Sequence, residues 1–272
     1  MKGKIGVTGA SGFLGNNLVK DLANEGYNVV AFGKESERNF EHPNIEWKIM
    51  DLNNFKKEDL NGIEKLIHFA GAYNANDAFS KNVTMLKKVL EASSRSELKY
   101  FYLISTYGVF GDRKYPAEVG TPYHPLEAYA MSKVMAEEEF KKIMSSASFK
   151  GIIVRPCSLY GKYGRNFVDI IINKMKKNEE IQMVHFKNQF LHVDDFYAAI
   201  KKIIEEKNSQ PEYNIEGEII TEEVLKNIFE ELGIKYSLSN QIARSYWCKG
   251  IGVPLTHTVR DYLKKAKEEN DI

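Results

Sequence analysis

The chain has 272 residues, 43% hydrophobic and 28% charged, enough for one large α/β domain or a large one with a smaller appendage. Its 38 basic and 37 acidic residues leave a net charge of +1, so nothing in the balance calls for nucleic acid or an anionic membrane, and a small molecule is the expected partner. Two cysteines, Cys157 and Cys248, make no disulfide framework, and the six histidines show no ligand spacing; a reduced, metal-free, cytoplasmic protein is expected. Met1-Lys2-Gly3-Lys4 resembles a charged leader, but few apolar residues follow it and no run reaches membrane-spanning length, so no export is expected.

In chain order, a short apolar run from Ile5 enters Val7-Thr8-Gly9-Ala10-Ser11-Gly12-Phe13-Leu14-Gly15 and leads into a helical pattern over Asn16–Ala23. Strand, glycine turn and helix in that order suit a dinucleotide pyrophosphate. Gly9 turns the chain, Gly12 lets the backbone approach the phosphates, and Gly15 lets the helix lie near the sheet with its N–H groups aimed at the anion. Asn28–Phe32 reads as a second strand, which places Gly33 and Lys34 about 20 residues past the turn, where an adenosine ribose lies. An acid there favours NAD; the neutral Gly33 with Lys34, and with Arg38, leans towards the 2′-phosphate of NADP, while a solvated loop lysine is the plainer alternative. Ile45–Met50 reads as a third strand ending at Asp51-Leu52, where Asp51 suits either an adenine amino group or a helix cap.

Lys65–Gly71 reads as a fourth strand running into a small-residue bend, with His68 a packed strand residue. Asn82-Val83 opens a helix with apolar spacing at Val83, Leu86, Val89 and Leu90, Tyr100–Ser105 is a fifth strand, and Gly151–Val154 is a sixth, stopped by Arg155-Pro156. This alternation predicts a parallel sheet covered by helices on both faces. Between the fifth and sixth strands, Tyr129 and Lys133 stand four apart near the start of a helical stretch reaching about Met144, so they project from one face. A phenol's ordinary pKa of about 10 makes it a poor base near neutrality, and a fixed positive charge beside it stabilises the phenolate and tunes it for proton transfer.

With the glycine turn, these residues resemble the extended short-chain dehydrogenase/reductase family, and the resemblance is close to chain-long. Gly9, Gly12 and Gly15 match its dinucleotide turn and Asp51-Leu52 its adenine-side pair. His68-Phe69-Ala70-Gly71 is similar to His-x-Ala-Ala, with Gly71 a departure, and Thr106-Tyr107-Gly108-Val109-Phe110-Gly111 to Ser/Thr-x-x-Val-Tyr-Gly. Tyr129 and Lys133 match Tyr-x-x-x-Lys. Arg155-Pro156-Cys157-Ser158-Leu159-Tyr160-Gly161 resembles Arg-Pro-x-Asn-x-Tyr-Gly, with Ser158 in place of asparagine. Phe190-Leu191-His192-Val193-Asp194-Asp195 resembles Phe-Ile-His-Val-x-Asp, with Asn188 or Gln189 where an arginine is frequent. Tyr213-Asn214-Ile215 and Thr258-Val259-Arg260-Asp261-Tyr262 resemble its closing segments.

The resemblance implies a Rossmann doubly wound sheet over residues 1–156, completed by segments near 181–210, and a smaller, interleaved substrate-binding part over most of 157–272. It implies Tyr129 as general acid/base, Lys133 as holder of the nicotinamide ribose and acidifier of the phenol, and Thr106 as donor to the reacting oxygen. The cofactor, NADP or NAD, would be lined by Gly9, Ser11, Gly12, Phe13, Leu14, Gly15, Lys34, Asp51, Leu52, Phe69, Ala70, Gly71, Asn82, Tyr129, Lys133 and Pro156. Tyr73, Thr106, Tyr107, Ser158, Asn166 and Arg244 would meet a nucleotide-diphosphate sugar, with Arg260 a further candidate for its phosphates. Sugar 4,6-dehydratases of the family follow the threonine with an acidic pair, and Tyr107-Gly108 stand there instead. A 4-ketoreductase remains, with an epimerase holding tightly bound NAD, or a dinucleotide-binding regulatory protein without turnover, as alternatives. A homodimer is the family expectation. Cys157 reads as a small packed residue, having no histidine partner beside it in the sequence.

Overall fold

Strands form where the chain runs apolar on both faces. β1 (Lys4–Thr8) and β2 (Asn28–Gly33) are buried along most of their length, as strands covered from both sides must be. The computed structural model describes residues 3–35, 40–72, 79–164, 166–207 and 209–269. With β3 (Ile45–Ile49), β4 (Lys65–His68), β5 (Tyr100–Ile104), β6 (Lys150–Pro156) and β10 (Glu212–Ile215), these strands make one seven-stranded sheet in the order β10-β6-β5-β4-β1-β2-β3. The ladders β1–β2, β1–β4, β2–β3, β4–β5 and β5–β6 are all parallel. This is the doubly wound sheet that the alternating pattern predicts. Its order reverses between β1 and β4, and in such sheets ligands bind beyond the carboxyl ends of the strands at that reversal.

Helices α1 (Phe13–Asn24), α2 (Met85–Ser93) and α3 (Ala128–Met144) connect these strands. The apolar faces of α2 and α3 meet a core that includes Val30, Phe32, Leu66, Leu86, Val89, Leu90, Phe101, Phe140 and Ile153, while α1 buries Leu18, Val19 and Leu22 apart from that cluster. α1 begins at Phe13 rather than Asn16, because Gly12 already serves as its N-cap. α2 is preceded by a π-helical turn, Ser80–Thr84, so Asn82 sits in an irregular entry and not in the regular helix expected from it. The buried face of α3 is unusual, since Lys133 and Glu137 lie among its apolar residues, and fully buried charges are rare unless partnered.

The chain divides into two compact units: Met1–Val109 with Pro125–Arg155 and Asn208–Tyr213, and Phe110–His124 with Pro156–Lys207 and Asn214–Ile272. Of the residues near 181–210 expected to complete the first unit, those up to Lys207 fall in the second unit and those from Asn208 in the first. β8 (Ile181–His185) pairs with β12 (Tyr236–Ile242), and β9 (Lys187–His192) lies between β7 (Ser158–Tyr160) and β11 (Glu218–Thr221), so these strands belong to the second unit. Only the stretch from Asn208 returns to the first. The second unit closes its own core, with Tyr160, Val168, Ile171, Phe190, Phe229 and Leu263. Around it lie α4 (Phe167–Lys176), α6 (Glu222–Leu232) and α7 (Val259–Glu268), while α5 (Val193–Glu205) packs along β7 and β9 with none of its residues in that core. Among the described residues no helix is long and apolar enough to cross a membrane.

Candidate active site

The glycine turn is built by backbone proximity. Gly9 has φ +71°, and a Cβ there would lie 2.7 Å from the Ala70 nitrogen, in the bend after β4. A Cβ on Gly15 would lie 2.3 Å from the Gly9 carbonyl oxygen, so only glycine lets α1 pack this close. At Gly12, by contrast, among the described residues beyond its own chain neighbours only that same carbonyl, 3.1 Å away, comes within 4 Å of a built Cβ. The Gly12 cap brings no side-chain acceptor, and the first turn of α1 has no acid. An open cradle at an uncapped helix N-terminus fits an anionic pyrophosphate.

Neighbouring strand ends are tied to this turn. The Ser11 hydroxyl accepts the Lys34 amide at 3.1 Å, Ala10 N donates to Phe32 O at 3.0 Å and Phe69 N to Thr8 O at 3.1 Å. Lys34 itself is exposed, and Arg38 lies outside the described residues. Asp51 caps the short turn after β3, its Oδ1 accepting from Asn53 N at 2.9 Å and Asn53 Nδ2 at 3.0 Å; Leu52 behind it is buried. His68 is a packed strand residue, as expected. Its Nδ1 shares a hydrogen bond with Thr8 Oγ1 at 2.8 Å, and burial together with the nearby Lys133 charge pushes its pKa down to about 3.

Thr106, Tyr129 and Lys133 are positioned by the end of β5 and the start of α3. Thr106 Oγ1 accepts the Gly108 amide at 3.2 Å, which leaves its proton to be donated. A Cβ built on Gly108 would be 3.4 Å from Thr106 Oγ1 and 3.9 Å from Ala130 Cβ, so Thr106 and the helical turn carrying Tyr129 flank the same spot. One turn on, Lys133 is 6% exposed and its Nζ donates to Ile104 O at 2.9 Å. Burial pushes the ammonium down to about 8, and the Glu137 carboxylate pulls the other way. The same Nζ would lie 3.7 Å from a Cβ on Gly71, which puts it against the bend after β4, next to the dinucleotide cradle. Asn82 joins the pieces: Oδ1 accepts Ala72 N at 2.8 Å, and Nδ2 donates to Ala72 O at 3.0 Å and to Ser132 Oγ at 2.9 Å. Ser132 Oγ in turn donates to Tyr129 O at 2.7 Å.

Of the other expected residues, Tyr107 and Pro156 are buried, and Tyr73 lies outside the described residues. In the second unit, Ser158 is half-buried in β7 and Arg244 is exposed after β12. Asn166 caps α4: its Oδ1 accepts from Val168 N at 3.0 Å and Asp169 N at 3.3 Å, while Nδ2 has no protein partner among the described residues. Arg260 is engaged by Glu231 in an exposed two-pronged ion pair. Asn188 and Gln189 hold backbone, with Asn188 Oδ1 accepting Tyr246 N at 2.7 Å and Gln189 Oε1 accepting Cys248 N at 2.8 Å. Cys157 is buried and its thiol is pushed up by burial, as befits a packed residue.

Two groupings were missed in the sequence. Glu137, four residues past Lys133, is fully buried and accepts from Ser105 and Arg155. The second brings His192, Asp194 and His257 together with ligand atoms within 4.8 Å of one another. The two rings stack with centroids 4.1 Å apart and planes 24° apart, so their in-plane lone pairs run side by side instead of converging. His192 Nδ1 accepts Asp194 N at 3.3 Å as the cap of α5.

A parallel sheet with the reversal at β1/β4, a glycine cradle there, and a buried lysine one turn after a tyrosine define a dinucleotide-dependent short-chain oxidoreductase type of protein. The sequence pattern of the NAD dependent epimerase/dehydratase family matches residues 5–215, and the chain belongs to that family, the extended short-chain dehydrogenases/reductases. CDP-abequose synthase of Salmonella muenchen is 29% identical over 245 residues, covering 84% of this chain and 78% of that protein. dTDP-4-dehydrorhamnose reductase of Aggregatibacter actinomycetemcomitans is 29% identical over 184 residues, 64% of this chain and 58% of that protein. In fold, the chain is similar to UDP-glucuronic acid 4-epimerase of Bacillus cereus in complex with UDP-glucuronic acid and NAD, with TM-score 0.85, 18% identity and 98% and 99% of the two chains covered.

Proposed function

We propose that this chain is an NADP-dependent reductase of a nucleotide-linked 4-keto sugar. The observation that carries the reading is the Lys133 ammonium, buried on Ile104 O beside the bend after β4 and one turn from Tyr129. Keeping a cation out of water is costly, and a site that needs a phenol to yield its proton gives it a use. When bound, the reduced nicotinamide supplies a hydride to the carbonyl carbon. As the C=O π bond opens, Thr106 donates a hydrogen bond to the oxygen and Tyr129 gives it a proton, leaving an alcohol, an oxidised cofactor and a phenolate that Lys133 stabilises. Tyr107-Gly108, in place of an acidic pair after Thr106, speaks against elimination of water, and a relative named as a 4-dehydro-sugar reductase supports reduction.

NADP is favoured because β2 ends in Gly33 and Lys34 follows it, a neutral residue and a cation where an acid would meet a ribose hydroxyl, with the Lys34 backbone fixed to Ser11. Lys34→Asp is expected to move the ratio of NADP to NAD affinity towards NAD by at least about tenfold; an unchanged ratio sinks the NADP assignment. Asn166 supports a diphosphate-bearing substrate, since its Nδ2 remains without a protein acceptor among the described residues. Met131 and Met135, exposed on α3, support a homodimer. The epimerase alternative is tested by the nucleotide extracted from purified protein: tightly retained NAD with no net cofactor turnover favours it, and consumption of added NADPH by a 4-keto sugar favours the reductase. Bound dinucleotide with neither activity leaves the regulatory reading.

A further inference from the structure

Lys133 and Glu137 stand one turn apart on the buried face of α3, and each takes hold of one residue at the end of β5. Lys133 Nζ donates to Ile104 O at 2.9 Å, and Ser105 Oγ donates to Glu137 Oε1 at 2.5 Å; Thr106 comes next. On its far side the Glu137 carboxylate receives Arg155 Nε at 2.9 Å and Nη2 at 2.6 Å, and Arg155 Nη2 also reaches Glu212 Oε2 at 2.7 Å. Lys141 Nζ closes the row on Glu212 Oε1 at 2.7 Å. Glu137 and Arg155 are 0% and 1% exposed. The sheet and α3 therefore hold an alternating line of charge, Lys133⁺, Glu137⁻ and Arg155⁺ buried and Glu212⁻ half-buried at its end, whose first member is the site lysine. An isolated ammonium at that depth would release its proton.

We infer that Glu137 is a positioning residue of the site: its carboxylate is the counter-charge that keeps Lys133 an ammonium, and with Lys133 it fixes the two residues that precede Thr106. The inference rests on the reading of Lys133 as the charge beside Tyr129, and it assigns to Glu137 no contact with substrate or cofactor. Among the described residues, the charged and titratable groups that act on Lys133 are Glu137 from its own helix and His68 from β4, with Arg155 of β6 behind Glu137 and Tyr129 one turn earlier on α3. His68 is neutral above about pH 3, so it does not supply the balancing charge. Among the described residues, Glu137 is the one carboxylate in that set.

The test reads Lys133 directly, through the titration of its ¹³Cε resonance in lysine-labelled protein, assigned by its absence from Lys133→Met. In the native chain the midpoint is expected near 8, where burial places it. Glu137→Gln keeps the shape and an acceptor for Ser105 but removes the charge, and the midpoint is expected to fall by about one unit or more, roughly a tenfold change in proton affinity. Glu137→Asp, which restores a carboxylate, recovers most of that shift. Should Glu137→Gln not fold, Glu137→Met/Arg155→Met carries the test, because a buried ion pair exchanged for apolar residues of similar volume is commonly tolerated. Its Lys133 midpoint is expected to fall likewise. A native-like midpoint in either folded variant overturns the inference. That outcome differs from failure of the proposed reaction, which is read from Tyr129→Phe turnover.

Discussion

At the level of single residues, the proposed reaction turns on how Tyr129 gives up a proton near neutrality. The cation proposed to serve it is the buried Lys133 ammonium, held on Ile104 O and depressed to about 8. Tyr129→Phe removes one hydroxyl from a half-buried ring. It is expected to leave folding and dinucleotide affinity intact while lowering turnover by roughly two to four orders of magnitude. Lys133→Met should lower both affinity and rate, and Thr106→Val the rate alone, since its hydroxyl is proposed to meet the substrate oxygen and not the dinucleotide. Steady-state kinetics and dinucleotide titration of the three variants separate these outcomes, and equal losses in all three contradict the division of roles.

Whole elements carry the next level, and the glycine turn gives a contrast within a few residues. A side chain at Gly15 meets backbone, 2.3 Å from Gly9 O and 2.9 Å from Ala10 Cα, so Gly15→Val must push α1 off the sheet. A loss of about 1–3 kcal/mol in stability together with loss of dinucleotide binding is expected. Gly12→Val meets only one carbonyl, at 3.1 Å, and is expected to remain within about 1 kcal/mol of native stability while still losing the dinucleotide, because its side chain fills the open cradle. Urea unfolding beside binding titration distinguishes the two, and tight binding by Gly12→Val removes the pyrophosphate from this turn. The parallel strands and this turn were legible in the sequence because local signals specify them: two-sided apolar runs, glycine spacing, and a four-residue Tyr/Lys step on one helix. The Glu137–Arg155–Glu212 row was not, since it joins α3, β6 and β10 across 18 and 57 residues of chain and nothing local marks Glu137 as buried. Asn166 and Asp51 show the same ambiguity from the other side. Asp51 is expected as either an adenine contact or a cap and Asn166 as a substrate contact, and each caps the turn that follows it, a use open to any short polar side chain before a helix that does not exclude a ligand.

For the whole molecule, the buried neutral His68 ties stability to pH. Its folded pKa of about 3 lies below its ordinary 6.5, so between those values the unfolded chain binds the extra proton. Its contribution is then fully present above pH 6.5 and is lost as pH falls towards 3. Between pH 7 and pH 4.5 the loss amounts to about 2–3 kcal/mol. In His68→Asn the fall in urea stability over that interval should be smaller by this amount, and an equal fall in both proteins shows that His68 is not the group responsible.

The most direct measurement follows the hydride. Purified protein is incubated with NADPH deuterated at nicotinamide C4, each face in turn, and with CDP-, dTDP- and UDP-linked 4-keto sugars. A sugar product carrying one deuterium at C4, formed in step with NADPH oxidation and abolished in Tyr129→Phe, is the predicted result. A product without deuterium, formed while added NADPH stays reduced, contradicts the account.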